Sequence, residues 1–386
     1  MLFAVFFLPF SKTLTEGFVF SALLAWLARK LIFGERIELP KFTLIAYLVF
    51  AGVVIASLTQ VPSPYFETAC KGVQKWVKYL SVFAMCAELY RDAARVRRLC
   101  WTFAASMFAV ILNGAYQIQF GKDLIKGYTV ADVPGRFVRM QSSFQAPNGL
   151  AAALLLNLSV ILYSIVREAR KFPRAAWIAY FFLSLWAFLM TMSRGALFGL
   201  IAAAIVYVFV LDKKRIGFVF LMLVAVTVFA WVPLRETFIG SLSKSDITIA
   251  ERLDSWQSAG NMVRRHPLLG IGPNLYLKRL PEFRPAGETY YGYAHNSYLQ
   301  IAGETGLLGI VAFLFPLGFF FWVFLRRSGK SPEDHAVGVL ALGVMAFLIH
   351  ALFDTHFQSL QTAYLFWIFW GVLQADYFVR AARARS

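Results

Sequence analysis

The chain has 386 residues, of which 59% are hydrophobic, 17% aromatic and only 15% charged, with a mean hydropathy of +0.62. Soluble domains carry nearer a quarter charged residues, so this composition excludes a soluble globular protein. The net charge of +17, from 38 Lys+Arg against 21 Asp+Glu, must then be divided between the two sides of a membrane.

A spanning helix needs about 20 mostly apolar residues. The first ten residues, MLFAVFFLPF, are apolar but short, and they read as a half-helix or as the tail of a first span. No Lys or Arg precedes them and no clear small-residue cleavage site follows, which argues against a cleaved signal peptide. Apolar segments follow near 17–33, 41–61, 76–90, 99–118, 149–166, 176–192, 195–211, 216–234, 297–325, 335–352 and 361–378. They predict about twelve spans in an all-α, polytopic membrane protein, a single transmembrane domain over 1–386. Basic groups at 29–41, 91–98, 167–174, 213–215, 326–330 and in the C-terminal tail hold 21 of the Lys and Arg residues. They alternate with the other loops, so they share the cytoplasmic side, as do both termini if residues 1–10 span.

The other 17 basic residues face outward, mostly in loops near 119–148 and 235–295. They fit either a solvated basic face near anionic lipid or a site for a phosphate-bearing substrate. The 235–295 loop is the only extramembrane segment large enough to fold over a site. Within it, 248–265 predicts an amphipathic helix along the membrane surface, with Leu253, Trp256, Ala259 and Val263 opposite Arg252, Asp254 and Asn261. Asp246 or Thr248 is placed to cap it. The following HPLLGIGPN (266–274) is a breaker-rich turn.

His295 stands where this loop meets a long apolar span, a place suited to a general base near neutral pH or to an ordinary interfacial histidine. Behind it Gly303, Gly306 and Gly309 recur every third residue, a spacing that allows close helix packing. Arg194, in TMSRGAL between two apolar spans, needs either a partner or a path to the headgroups. Arg252, Arg264 and Arg265 lie on or just after the surface helix, where a planar guanidinium suits phosphate. Arg136 and Arg139 add charge at the end of the earlier outer loop, and Asn148 begins the next span as a cap or a sugar contact. Asp354 and His356, in HALFDTHFQ, read as structural. Glu304 is the chief charge inside a span, with no partner nameable from sequence.

The three cysteines, Cys70, Cys86 and Cys100, indicate neither a disulfide framework nor a zinc site. The outer loops contain no Asp-x-Asp, no His-Glu-x-x-His and no Cys pair, so no catalytic metal or other cofactor is expected. Glycine-rich nucleotide loops are missing as well, and the charge does not suggest nucleic acid.

His295-Asn296, nine residues, then Gly306-Leu307-Leu308-Gly309 resembles the H-[N/S/Q]-x9-G-x-x-G signature of the O-antigen ligase and polymerase superfamily. Ser193-Arg194-Gly195, ERLDSW…HPLLGIG (251–272) and R…SSFQAPNGLA (139–151) add to the likeness, which covers about 139–310. The resemblance implies a C-type membrane glycosyltransferase fold in the bacterial inner membrane with a metal-independent active site facing the periplasm. It implies an undecaprenyl-pyrophosphate-linked glycan as donor and, for a ligase, a lipid A–core acceptor. By position His295 matches the motif histidine and Arg194 the first arginine. Arg252 is preferred for the second, with Arg265 as the alternative. Arg136, Arg139 and Asn148 are further substrate contacts. The reading favoured is an inverting ligase, ahead of a polymerase; a polysaccharide exporter is the non-enzyme alternative and would need paired charges at the bilayer midplane.

Overall fold

Backbone groups in hydrocarbon find no water, so apolar spans must satisfy them within a helix. The computed structural model describes residues 1–39, 41–130, 138–210, 247–287, 291–327 and 332–383. Among these no strand is assigned, and an isolated bridge joins Lys122 and Thr129. The helices are α1 (Leu2–Phe7), α2 (Lys12–Phe33), α3 (Lys41–Ala56), α4 (Phe66–Leu89), α5 (Ala93–Phe120), α6 (Pro147–Arg167) and α7 (Lys171–Met190). They continue as α8 (Arg194–Val210), α9 (Ile247–Arg265), α10 (Tyr276–Phe283), α11 (Ser297–Arg327), α12 (Pro332–His350) and α13 (Leu360–Arg383).

Five helices are long and apolar enough to cross a membrane: Lys41–Gln60, Ala93–Phe120, Pro147–Arg167, Lys171–Met190 and Ser297–Arg326. Arg194–Val208 and Ala336–His350 are shorter apolar helices. By length and composition the chain is a membrane protein. Helices α2 and α4 are as long but carry more charge, including Glu16, Arg29 and Lys30 on α2 and Lys71, Lys75 and Lys78 on α4. The expected span at 216–234 lies outside the described residues, as do Arg136 and Asp246. Helix α1 has six residues, about 9 Å at the α-helical rise, so residues 1–10 do not span. Ser11 then starts α2 by accepting the Leu14 N–H.

The bundle packs α12 against α6 and α8, and α13 against α4. Edge-to-face aromatic contacts among Trp76, Phe313, Phe357 and Trp367 fill the centre. Gly195 and Gly199, one turn apart on α8, let α12 come close. A Cβ on Gly195 would lie 2.7 Å from Phe353 Cβ, and one on Gly199 would run into the Ala346 carbonyl.

The described part of the segment expected as the large outer loop has a small core of its own. Ala259, Met262, Ile271, Leu275, Tyr276, Leu280 and Phe283 pack with Ala69 of α4 and with Ala294. On α9 the buried face is Ser255, Ser258, Ala259 and Met262, while Leu253 is 55% exposed. The apolar stripe expected from sequence is therefore rotated. Its reason is the partner: a slim face fits between α11, where Gly303 admits Met262, and Tyr276, whose hydroxyl donates to the Ser255 carbonyl at 2.8 Å. Thr248 lies inside α9 and does not cap it.

Segment 267–272 docks on α11 where that helix breaks. Gly306 has φ 71° and ψ −174°, and the Leu307 N–H donates to the Pro267 carbonyl at 2.8 Å. Ile271 and Gly272 donate to the carbonyls of Gly303 and Glu304, both at 3.0 Å. The glycine repeat expected only to ease helix packing thus also supplies a backbone break, and a Cβ on Gly306 would strike the Leu268 carbonyl. Buried Glu304 accepts from Gln300 Nε2 at 2.8 Å and from the Asn274 N–H at 2.9 Å, which holds the same turn in place. Gly306→Ala should cost about 1–3 kcal/mol, since only glycine takes this conformation freely. The expected results are a lower melting temperature in detergent and faster proteolysis within 266–274; wild-type values for both would contradict the role given to this break.

Candidate active site

Hydrogen bonds tie the segments that carry the candidate residues into pairs. The 138–146 loop is joined to the end of α7 by the Met140 N–H donating to the Met190 carbonyl at 2.9 Å. Arg139 Nε donates to the Thr191 carbonyl at 2.9 Å, and its Nη2 donates to Asn148 Oδ1 at 3.2 Å. Asn148 therefore orients Arg139. It does not cap α6, whose N-cap is Ala146 with no side-chain cap. The α11 start is tied to the loop between α12 and α13: Ser297 N–H donates to the Ala351 carbonyl, and Ser297 Oγ donates to the Asp354 carbonyl, each at 2.8 Å.

The sequence His295-Asn296-Ser297 divides three tasks among adjacent residues. Asn296 Oδ1 accepts the N–H groups of Tyr298 and Leu299 at 2.9 and 3.0 Å, capping α11. Ser297 fastens the helix to the 351–356 loop. His295 is left with φ 46°, a conformation few non-glycine residues adopt. Ser142 and Met192, in the two arginine-bearing segments, share this backbone region with φ 50° each. Such strain costs about 1–3 kcal/mol per residue and collects where surrounding structure imposes it, often at functional sites.

His295 Nδ1 lies 3.6 Å from Asp354 Oδ1. That nitrogen is buried while the side chain as a whole is 32% exposed, so the accessible part of the ring lies away from Asp354. A carboxylate on one ring nitrogen and access on the other side is the arrangement of an oriented base. Burial pushes the Asp354 carboxyl up, but contact with His295 and the influence of His356 and His350 outweigh it and hold it well below the usual carboxylate range. Sequence reading gave Asp354 a structural role. The one signal for more was a carboxylate at the outer boundary of two apolar spans.

Arg139 gathers the positive charge. Burial first, then neighbouring Arg194 and Arg252, lower its guanidinium to about 10, with Asp354 opposing them. It stays charged at neutral pH, so Arg139, Arg194, Arg252 and Asp354 form one electrostatic unit. An anion placed there would relieve the mutual repulsion of three guanidiniums. Arg265 is elsewhere: its Nη1 donates to the Glu282 carbonyl at 3.2 Å and its guanidinium lies 5.3 Å from the Phe283 ring centre. Thirteen residues of helix, about 20 Å, separate it from Arg252.

With this geometry in hand, comparison with known proteins is informative. Residues 179–314 match the O-antigen ligase family model. The match supports the O-antigen ligase and polymerase superfamily without separating its two activities. It takes in Arg194, Arg252, His295 and Gly306, and leaves Arg139, Asn148 and Asp354 outside. No curated protein matches the chain.

Burial lowers the imidazole pKa of His356 against the pull of Asp354. The unfolded chain takes up a proton near pH 6.5, at about the ordinary histidine value, and the folded chain only below it. This contribution to stability is therefore complete above that pH and declines as pH falls through it toward the folded value. Thermal unfolding in detergent should show the decline, and His356→Gln should flatten it; an identical pH slope in the variant would exclude His356 as the source.

Proposed function

We propose that the protein is a glycosyltransferase that moves an undecaprenyl-pyrophosphate-linked O-antigen glycan onto lipid A–core, acting on the periplasmic face of the inner membrane. The observation that carries this reading is that His295 lies beside Asp354 and that the same carboxylate acts on Arg139, which in turn feels Arg194 and Arg252. The family match supports an enzyme of O-antigen ligation or polymerisation.

In the mechanism proposed, the acceptor hydroxyl attacks the anomeric carbon of the donor while His295 takes its proton through the accessible side of the ring. Asp354 holds the opposite nitrogen and stabilises the imidazolium that forms. The bond from the anomeric carbon to the pyrophosphate oxygen breaks with inversion, and its electron pair leaves with the undecaprenyl pyrophosphate. Arg194 and Arg252 face the growing phosphate charge, with Arg139 behind them, fixed by Thr191 and Asn148. Arg252 is chosen over Arg265 because it shares the field of Arg139, whereas Arg265 is engaged by α10. Arginines preorganised in a half-buried site can meet this charge without the reorganisation water would need.

Purified protein with lipid-linked glycan and lipid A–core tests the proposal. His295→Ala should lower transfer by about 10²–10⁴-fold with folding intact, the range for a general base. Arg194→Ala and Arg252→Ala should each cost about 10²–10³-fold, as for loss of a charge-stabilising donor. Arg265→Ala should stay near wild type. Normal transfer by His295→Ala would sink the base assignment. A strain lacking the protein separates ligase from polymerase: bare core with long lipid-linked polymer marks a ligase, and core capped by a single repeat marks a polymerase.

A further inference from the structure

Two buried histidines that take no part in the transfer just described lie directly beneath the site. His350 and His356 are 1% and 3% exposed. His350 Nδ1 and His356 Nε2 are 3.0 Å apart, with ring centres 4.3 Å apart. On its other side His350 Nε2 lies 3.3 Å from Ser193 Oγ. The His356 N–H donates to Ser297 Oγ at 2.9 Å, and Ser297 Oγ donates to the Asp354 carbonyl. A continuous chain therefore runs from the residue before Arg194, through two imidazoles, to the loop that carries Asp354.

Each link has a physical reason. Two imidazole nitrogens facing each other at 3.0 Å need one proton between them, and burial opposes a charged pair. The pair can thus act as two neutral rings whose proton order is set at the Ser193 end, since a hydroxyl can donate or accept. A serine just before a helix ordinarily turns its hydroxyl onto that helix's first amides. Here the Ser193 hydroxyl meets His350, and Gly195 leaves room for this, since a Cβ there would lie 3.2 Å from His350 Cδ2. The Phe347 ring lies tilted against His356, with centroids 5.0 Å apart, so the pair is set in apolar surroundings.

We infer that Ser193, His350 and His356 are positioning residues that hold the Arg194 segment and the Asp354 loop in register, so that anion binding and base orientation are set together. This rests on the transferase reading. The pair touches neither substrate nor reacting atoms; it acts through Arg194 on one side and Asp354 on the other. Because the chain is a single path, breaking it at either end should have the same consequence.

The test uses full-length protein in detergent with undecaprenyl-pyrophosphate-linked glycan and lipid A–core, with rates normalised to folded protein by thermal unfolding. Ser193→Ala trims one hydroxyl and Ser193→Thr keeps it. His356→Gln retains a polar group near Nε2. The expected result is a drop in kcat of about 10-fold for Ser193→Ala and for His356→Gln, with KM for the donor within about twofold, as coupled positions in one network allow. The double variant should be no slower than the slower single, and Ser193→Thr should recover most of the rate. Multiplying losses in the double variant, an unchanged kcat in both singles, or a rise in KM alone would overturn the relay while leaving the transferase intact. No transfer by the wild-type protein would overturn the functional reading and the relay with it.

Discussion

Like charges repel, yet this bundle keeps Arg194 and Arg252 near enough to act on buried Arg139, which one carboxylate, Asp354, offsets. Much of the surrounding structure can be understood as what that arrangement requires. Arg139 is fastened through the Thr191 carbonyl and Asn148. Arg194 is placed by the close approach of α8 to α12 at Gly195 and Gly199. Arg252 rides on a helix whose slim buried face lets it lie against the bundle. In the transfer proposed above, charge held in this way would meet the pyrophosphate without further reorganisation.

The same economy governs the segment packed against α11. The 247–283 region owes its position to a break in α11, where Gly306 gives up helical geometry and the 267–272 segment takes the backbone positions so opened. Glu304 then fixes the turn through Asn274, within the electrostatic reach of Lys75 on α4. A buried carboxylate that an exporter would use as a moving charge is here engaged with Gln300 and a backbone amide. It behaves as a fastener between that segment and the bundle.

The likeness to O-antigen ligases and the base-and-arginines arrangement support each other from different directions. The family match ends at residue 314, so it does not contain Asp354, the carboxylate 3.6 Å from His295 Nδ1. The carboxylate is known only from the fold. Its position beside His295 comes from Ser297, which binds the 351–356 loop with both its amide and its hydroxyl.

Much was legible in the sequence, because hydropathy and charge act locally. The all-helical membrane class, the positions of most long helices, and His295 and Arg194 at helix starts follow from runs of apolar residues and the polar groups that end them. Sequence supplied only a preference for Arg252 over Arg265, since both are arginines on one helix; the packing adds that Arg265 engages the Glu282 carbonyl while Arg252 acts on Arg139. Not legible were the rotation of α9, the use of Gly306 as a break, and the joining of Asp354 to His295 across 59 positions of chain. The +17 charge shows the division most clearly. Sequence alone divides the 38 Lys and Arg into 21 in short clusters between apolar segments and 17 elsewhere, because hydropathy and charge are read locally. Only the tertiary structure decided that three of the 17 meet at one place, because repulsion between like charges is overcome by packing and hydrogen bonds from parts of the chain far apart in sequence.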